Sequence, residues 1–148
     1  MVINFYNMAK TVNILLADDD SEDQEILKEA LLDVNPALAI HFVMNGKEAI
    51  SYLKNCPAGE LPSLIILDYK MPLMNAVDAL ETLKENSVYT GISKVVWSTS
   101  DQSEHKKLCL ENGAIQYFVK PGNPKDLASL ARQLLDLIFH SSEKLVTR

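Results

Sequence analysis

Short apolar runs alternate with amphipathic segments along most of the chain. Most of these runs are continuously apolar, which is the pattern of a parallel strand covered on both faces of its sheet. We therefore predict five buried strands, at Asn13–Ala17, Ala37–Val43, Leu64–Leu67, Lys94–Trp97 and Ile115–Val119.

The segments between these runs have helical spacing. The first helix is predicted to begin near Ser21, capped by Asp20 or Ser21, with a capping box between Ser21 and Gln24. Asn35-Pro36 should end it, because proline disfavours helical geometry in the residue before it. Further helices are predicted over Gly46–Asn55, from about Asn75, over Asp101–Asn112 and from Pro124.

The last two helices carry end signals. Asp101 and Glu104 are predicted to cap the start of the fourth helix, and Gly113 suits its left-handed end. Asn123 is the predicted cap of the last helix, with Pro124 at the first helical position. Five repeated strand–helix units predict an α/β fold, a doubly wound five-stranded parallel sheet with five helices on both faces.

Composition narrows the class of protein. A length of 148 residues with 47% hydrophobic residues fits one domain with one core. The formal net charge of −6 argues against nucleic acid or a membrane surface as the partner. No apolar run approaches the ~20 residues of a membrane span, and the N-terminus does not read as a secretory signal. Cys56 and Cys109 form no CxxC pair, which favours a reduced, cytoplasmic chain.

Polar residues follow four of the predicted strands. They are Asp18-Asp19-Asp20, Asp68, Ser98-Thr99 and Lys120-Pro121. Each alone is typical of a solvated turn or a helix cap. Because ligands of doubly wound sheets bind at the carboxyl ends of the strands, the set together predicts several carboxylates, a hydroxyl and an ammonium on one rim.

This combination has a specific chemistry. Clustered carboxylates repel one another unless a cation joins them, and oxygen-only ligands favour a hard cation such as Mg²⁺. The Lys120 ammonium can hold one phosphoryl oxygen and the Ser98 hydroxyl another. The pattern predicts phosphoryl transfer to an aspartyl nucleophile.

Four motifs carry a resemblance to a known family. They are Ile14–Asp20, Leu64–Pro72, Val95–Ser100 and Gly113–Pro121. In this order, and each at a strand end, they make the chain resemble the receiver domain of bacterial two-component response regulators, in its stand-alone, chemotaxis-receiver-like form. The resemblance covers about Val12 to about His140. It implies a flavodoxin-like sheet in the order 2-1-3-4-5.

The resemblance also implies the metal site and the acceptor. Asp68 matches the phosphoacceptor, and Asp18 and Asp19 match the acidic pair that holds Mg²⁺ together with it. The backbone carbonyl of Lys70 matches a further ligand of the metal. Mn²⁺ is an expected substitute for Mg²⁺.

The remaining site roles are carried over in the same way. Lys120 matches the lysine that pairs with the phosphoryl group, and Ser98 matches the switch hydroxyl. Tyr117 matches the switch aromatic that turns inward after phosphorylation. The bond between Lys120 and Pro121 is expected to be a cis peptide.

Some positions depart from the family pattern. Lys70 is either a solvated lysine or a residue that shields the acyl phosphate and changes its lifetime, and the bulk of Thr99 is expected to narrow access for phosphodonors. Ala76 stands where glycine is usual, which costs stability only if its φ is positive. Trp97 and the histidines His41, His105 and His140 are expected to be ordinary core or surface residues.

The combined prediction is a single-domain response regulator and not an enzyme with a separate substrate, although it promotes its own Mg²⁺-dependent phosphorylation and dephosphorylation. Residues 1–11 form a leader, 12–140 the receiver and 141–148 a tail, with no output domain. Its partners are a sensor histidine kinase or a histidine phosphotransfer protein, a downstream protein target and, as an option, a second copy in a homodimer.

Two alternatives stay open. One is a receiver-like interaction module that works without phosphorylation, which the complete set of site residues disfavours. The other is a phosphatase of the haloacid dehalogenase type, because Asp18-x-Asp20 imitates its DxD motif. That family needs acidic metal ligands after the lysine strand, where the two aspartates of this chain, Asp126 and Asp136, both lie within the predicted last helix.

Overall fold

Five strands form one parallel sheet in the computed structural model, which describes residues 11–146. The strands are β1 (Asn13–Ala17), β2 (Ala39–Val43), β3 (Leu64–Asp68), β4 (Ser93–Ser98) and β5 (Gln116–Val119). Their order is β2-β1-β3-β4-β5, and every neighbouring pair is parallel. The predicted α/β class and strand order are confirmed. Of the predicted leader, only Thr11 lies within the described residues.

Within residues 11–146, six α-helices accompany the sheet. They are α1 (Ser21–Val34), α2 (Gly46–Asn55), α3 (Ala76–Lys84), α4 (Ser87–Thr90), α5 (Ser103–Glu111) and α6 (Pro124–Val146), and a 3₁₀ turn covers Ala58–Glu60. All five predicted helices are present. The four-residue α4 was not predicted, because one turn is too short to show a helical period. None of the helices in this part of the chain is long and apolar enough to cross a membrane.

The sheet is covered on both faces, which explains its continuously apolar strands. Leu15, Ile65 and Val96 pack on one face with residues of α2 and α3. Ile14, Ile66 and the other alternate strand residues pack on the opposite face with residues of α1 and α6. Because neighbouring residues of a strand point to opposite faces, both sets are buried, as the hydrophobic pattern predicts.

Asp20 caps α1. Its carboxylate accepts hydrogen bonds from the backbone N–H groups of Glu22 (2.9 Å) and Asp23 (3.2 Å). The predicted Ser21–Gln24 capping box is wrong, because the Gln24 amide is buried and donates instead to the carbonyls of Asp18 (2.7 Å) and Val43 (2.9 Å). This side chain therefore ties the start of α1 to the ends of β1 and β2.

The other predicted helix ends have mixed outcomes. The side chain of Asn123 accepts a hydrogen bond from the Asp126 N–H (2.9 Å), as expected of a cap. Gly113 has φ 110°, which confirms the left-handed end after α5. The caps predicted for the start of α5 are wrong, because its N-cap is Gln102, whose side chain makes no capping hydrogen bond. The start of α5 therefore lacks the side-chain cap that α1 has.

The loop after β3 passes close to the start of α2. The Gly46 N–H donates to the Met74 carbonyl (3.0 Å), and a Cβ added to Gly46 would lie 2.5 Å from that oxygen. The one non-glycine residue with positive φ among the described residues is Leu73 (66°), not Ala76. Ala76 is instead the buried first residue of α3, so alanine carries no left-handed penalty there.

Candidate functional site

A cleft of about 460 Å³ lies at the carboxyl edge of the sheet. It receives residues from the ends of β1, β3, β4 and β5, because the carboxyl ends of parallel strands meet at one edge. Its lining consists of Asp19, Asp20, Asp23, Asp68, Tyr69, Lys70, Ser98, Thr99, Ser100, Gln102, His105 and Lys120.

Three carboxylates converge at the floor of the cleft. Asp18 and Asp68 are buried, whereas Asp19 is exposed. One carboxylate oxygen from each lies within 4.8 Å of the others. β1 and β3 are neighbours in the sheet, which is why residues fifty positions apart in sequence meet here. A compact set of carboxylate oxygens suits a hard divalent cation such as Mg²⁺ or Mn²⁺.

Lys120 reaches this cluster from the edge strand β5. Its Nζ lies 2.9 Å from Asp18 Oδ2, 2.8 Å from Asp23 Oδ2 and 3.5 Å from Asp68 Oδ1. The same nitrogen lies 4.7 Å from the centre of the Trp97 ring on the intervening strand β4. The aromatic face supports the ammonium while the carboxylates neutralise its charge.

Burial and mutual repulsion set the protonation of the buried carboxyls. Burial, reinforced by the negative charge of Asp18, raises the pKa of Asp68 to about 7. Burial also raises the pKa of Asp18, although hydrogen bonds from the Asp20 N–H and from Lys120 oppose that rise. Burial alone would lower the pKa of Lys120. The hydrogen bonds that Lys120 donates to Asp23 and Asp18 outweigh the effect of burial, so its pKa is raised. The site therefore has more negative charge than one lysine neutralises.

The hydroxyl groups of Ser98 and Tyr117 both hydrogen-bond to the backbone of Ser100. The Ser98 hydroxyl is buried and accepts a hydrogen bond from the Ser100 N–H (3.1 Å). The Tyr117 hydroxyl donates to the Ser100 carbonyl (2.8 Å). The two predicted switch residues are thus linked through one peptide segment, while their switching roles stay predictions.

His105 extends this network to α5. Its Nδ1 lies 2.7 Å from Ser100 Oγ, and its ring stacks on Tyr69 with centroids 4.1 Å apart and an angle of 17°. The Tyr69 ring meets that of Tyr117 edge-on at 6.5 Å. His105 is a partly exposed histidine that lines the cleft. His41 stacks on Tyr52 away from it, and the side chain of His140 lies outside the described ones.

Asp23 contacts Lys120 directly and was not predicted from the sequence as a residue of the site. An acidic residue in the first turn of a helix is usually explained by the helix dipole alone. The available signal was the density of negative charge. Five of the six residues from 18 to 23 are acidic, namely Asp18, Asp19, Asp20, Glu22 and Asp23, whereas the strand ends that form the site offer the single lysine Lys120.

Other predicted residues fall where the sequence placed them, with one exception. Lys70 and Thr99 are exposed and line the cleft, and Trp97 is buried in the core as expected. The prediction of a cis peptide bond between Lys120 and Pro121 is wrong, because the described residues contain no cis bond. The trans form is intrinsically favoured, and the Lys120 N–H donates to the Ser98 carbonyl (2.7 Å) in this geometry.

Known proteins with this fold and these motifs belong to one family. A family model described as the response regulator receiver domain matches residues 14–132. The two-component response regulator ORR5 of Oryza sativa subsp. japonica is 32% identical over 123 residues, which are 83% of this chain and 88% of that protein. The probable C4-dicarboxylate response regulator DctR of Bacillus subtilis (strain 168) is 30% identical over 112 residues, which are 76% of this chain and 47% of that protein.

Solved structures agree on the fold. The phosphorylated cyanobacterial phytochrome response regulator RcpA aligns with a TM-score of 0.79 and 23% identity, covering 88% of this chain and 95% of that one. The Mn²⁺-bound form of response regulator Rcp1 aligns with a TM-score of 0.73 and 25% identity, covering 82% and 90%. With a family model over most of its length and a relative above 30% identity, the chain belongs to the response regulator receiver domain family of two-component systems.

Proposed function

We propose that the chain is a stand-alone receiver that accepts a phosphoryl group on Asp68 from a phosphohistidine. The observation that carries this proposal is the convergence of Asp18, Asp19 and Lys120 on the buried Asp68 carboxyl. A buried carboxylate flanked by an acidic cluster and an ammonium is arranged to attack phosphorus, because the ammonium and a cation held by the cluster would offset the charges of donor and acceptor.

In the proposed step, a carboxylate oxygen of Asp68 attacks the phosphorus of a phosphohistidine. The new O–P bond forms as the P–N bond breaks, and the donor imidazole keeps the electron pair and takes up a proton. Asp18, Asp19 and Asp68, with the Lys70 backbone carbonyl as an added ligand, would hold Mg²⁺ or Mn²⁺ here. When bound, the cation neutralises charge on the phosphoryl oxygens. The matched regulator Rcp1 is described in a Mn²⁺-bound form, which supports the binding of a divalent cation by this chain.

After transfer, the side chains that line the cleft respond to the new charge. Lys120 pairs with one phosphoryl oxygen, and the Ser98 hydroxyl donates to another. Ser98 can donate its O–H while it still accepts from the Ser100 N–H, so a shift of Ser98 toward the phosphoryl oxygen is coupled to the segment that also holds Tyr117. The phosphoryl group thereby favours one of two conformations of the loop after β4.

Signalling then proceeds through protein contacts. A sensor histidine kinase or a histidine phosphotransfer protein supplies the phosphoryl group, and a downstream protein or a second copy of the chain reads the result. The stand-alone form of the proposal is supported by ORR5, since the matched segment spans 88% of that protein.

The test is Mg²⁺-dependent phosphorylation with acetyl phosphate, followed by mass spectrometry of the peptide that carries the group. We expect one phosphoryl group on Asp68, and none after Asp68→Asn. A phosphoryl group on Asp18 would support the phosphatase alternative. No phosphorylation from acetyl phosphate or any kinase would support an interaction module instead.

A further inference from the structure

Asp23 shares the lysine of the site without belonging to the acidic cluster at its floor. Its Oδ2 is 2.8 Å from Lys120 Nζ, closer than Asp68 Oδ1 at 3.5 Å. It comes from the first turn of α1. The ammonium therefore lies closer to the first turn of α1 than to the predicted phosphoacceptor.

The three carboxylate partners of Lys120 are not equivalent. Asp18 and Asp68 belong to the group whose oxygens lie within 4.8 Å of one another and suit a divalent cation, whereas Asp23 does not. When a cation binds to Asp18 and Asp68, Asp23 is the carboxylate partner of Lys120 that does not also bind the cation. Its side chain is 30% exposed, so the pair is screened only in part.

A phosphoryl group on Asp68 would need the same ammonium. Lys120 has three N–H donors, and Asp18 and Asp23 already accept two of them at short distance. The Trp97 ring lies 4.7 Å from Nζ and restricts the ammonium from below. A new oxygen near Asp68 therefore has only the third N–H available and shares the charge of Lys120 with Asp23.

We propose that Asp23 is a positioning residue that holds Lys120 on the α1 side of the cleft and competes with the phosphoryl oxygens for its ammonium. This inference rests on the proposed function and adds its regulation: Asp23 sets how firmly the receiver keeps its phosphoryl group. Removing its charge frees Lys120 for the phosphoryl oxygen. Loss of one close, partly exposed ion pair corresponds to a change of about fivefold in an equilibrium constant.

The experiment measures the affinity of the Mg²⁺-loaded protein for beryllofluoride, an analogue of the phosphoryl group on a carboxylate. Asp23→Asn should bind it about fivefold more tightly and lose an acetyl-phosphate-derived phosphoryl group more slowly. Asp23→Glu keeps the charge and should stay near the parent. Glu22→Gln is the matched control, because it removes the same charge from an exposed neighbour in the same helical turn.

A double variant separates the competition from a general effect of charge. In a Lys120→Gln background, Asp23→Asn should leave beryllofluoride affinity unchanged, because the two residues act through one contact. Equal tightening in that background, or in Glu22→Gln, would overturn the inference. So would an Asp23→Asn protein that folds but binds beryllofluoride no more tightly than the parent.

The failure of the proposed function looks different from the failure of the inference. If the parent neither binds beryllofluoride in an Asp68-dependent way nor takes a phosphoryl group, the proposed function falls and the inference falls with it. If the parent does both and Asp23→Asn changes neither, the inference alone is overturned.

Discussion

At the scale of single residues, the site is a crowded set of charges held without full neutralisation. Asp18 and Asp68 are buried next to each other, and Lys120 is shared between them and Asp23. Such crowding costs stability in the fold, because the unfolded chain can separate and hydrate the same carboxylates. A cation relieves this repulsion when it binds.

Asp68→Asn should stabilise the metal-free protein, and more so as the pH rises. The pKa of Asp68 is raised to about 7 in the folded state from its ordinary value of 3.8, so the fold disfavours its ionised form. Stability contributed by this group is present below about pH 4 and is lost as the pH rises to about 7. The gain from Asp68→Asn at pH 8 should be roughly 2–4 kcal/mol, since each pKa unit is ~1.4 kcal/mol.

Urea unfolding in EDTA at pH 5 and pH 8 measures this effect. Asp101→Asn, at an exposed position, provides the control and should change little at either pH. An equal gain at both pH values would contradict the assignment of the raised pKa to Asp68.

At the scale of secondary structure elements, α5 is anchored by few contacts, and one of them leads into the site. Cys109 is its one buried residue, and no side chain caps its start. His105 compensates through its contact with Ser100 and its stack on Tyr69. The structure thus connects the helix to the residue that follows the predicted phosphoacceptor.

His105→Ala should loosen α5 without unfolding the sheet. Loss of one hydrogen bond and one ring stack is worth on the order of 1–2 kcal/mol, or about tenfold in local opening. Hydrogen–deuterium exchange should rise in residues 103–111 and stay unchanged in β1 and β3. Lys107→Ala, an exposed position on the same helix, is the comparison; similar exchange in both variants would show that His105 does not anchor α5.

Gly46→Ala should destabilise the protein by roughly 1–3 kcal/mol, the range for forcing extra atoms into a packed region. The added Cβ would lie 2.5 Å from the Met74 carbonyl oxygen, which is backbone and cannot rotate away. Gly91→Ala is the matched control, because nothing lies within 4 Å of its added Cβ. Thermal unfolding compares the two, and equal melting temperatures would mean that the loop after β3 yields easily.

At the scale of the whole molecule, the receiver fold brings distant residues to one edge of its sheet. The carboxyl ends of three different strands carry Asp18, Asp68 and Lys120, and only the strand order places these residues side by side. The net charge of −6 is partly concentrated at that edge, so it describes a binding site as much as a surface. Binding there is therefore linked to the stability of the entire domain.

Mg²⁺ should raise the melting temperature of the parent by several degrees, since saturation at about a hundred times Kd adds ~2.7 kcal/mol. Asp19→Asn should abolish most of this shift while leaving the metal-free protein stable, because Asp19 is exposed. Na⁺ at the same ionic strength controls for screening. A shift that survives Asp19→Asn would place the cation elsewhere.

Much of this architecture was predictable from local patterns. Apolar runs marked all five strands, and most of them are continuous because a strand covered on both faces needs apolar residues at successive positions. The polar residues after those runs marked the site, since topology sends them to one edge. The short α4 and the start of α5 lacked a local pattern that could define them.

The sequence by itself determined the strand–helix alternation, the residues at the strand ends and, through four motifs, the receiver family. Only the tertiary structure decided which partners these side chains take. Asp23 binds Lys120, His105 stacks on Tyr69, Gln24 leaves its predicted capping box, and Lys120–Pro121 is trans. The physical reason is that periodicity reports burial, which is local, whereas hydrogen bonds and ion pairs depend on distances between segments that only packing sets.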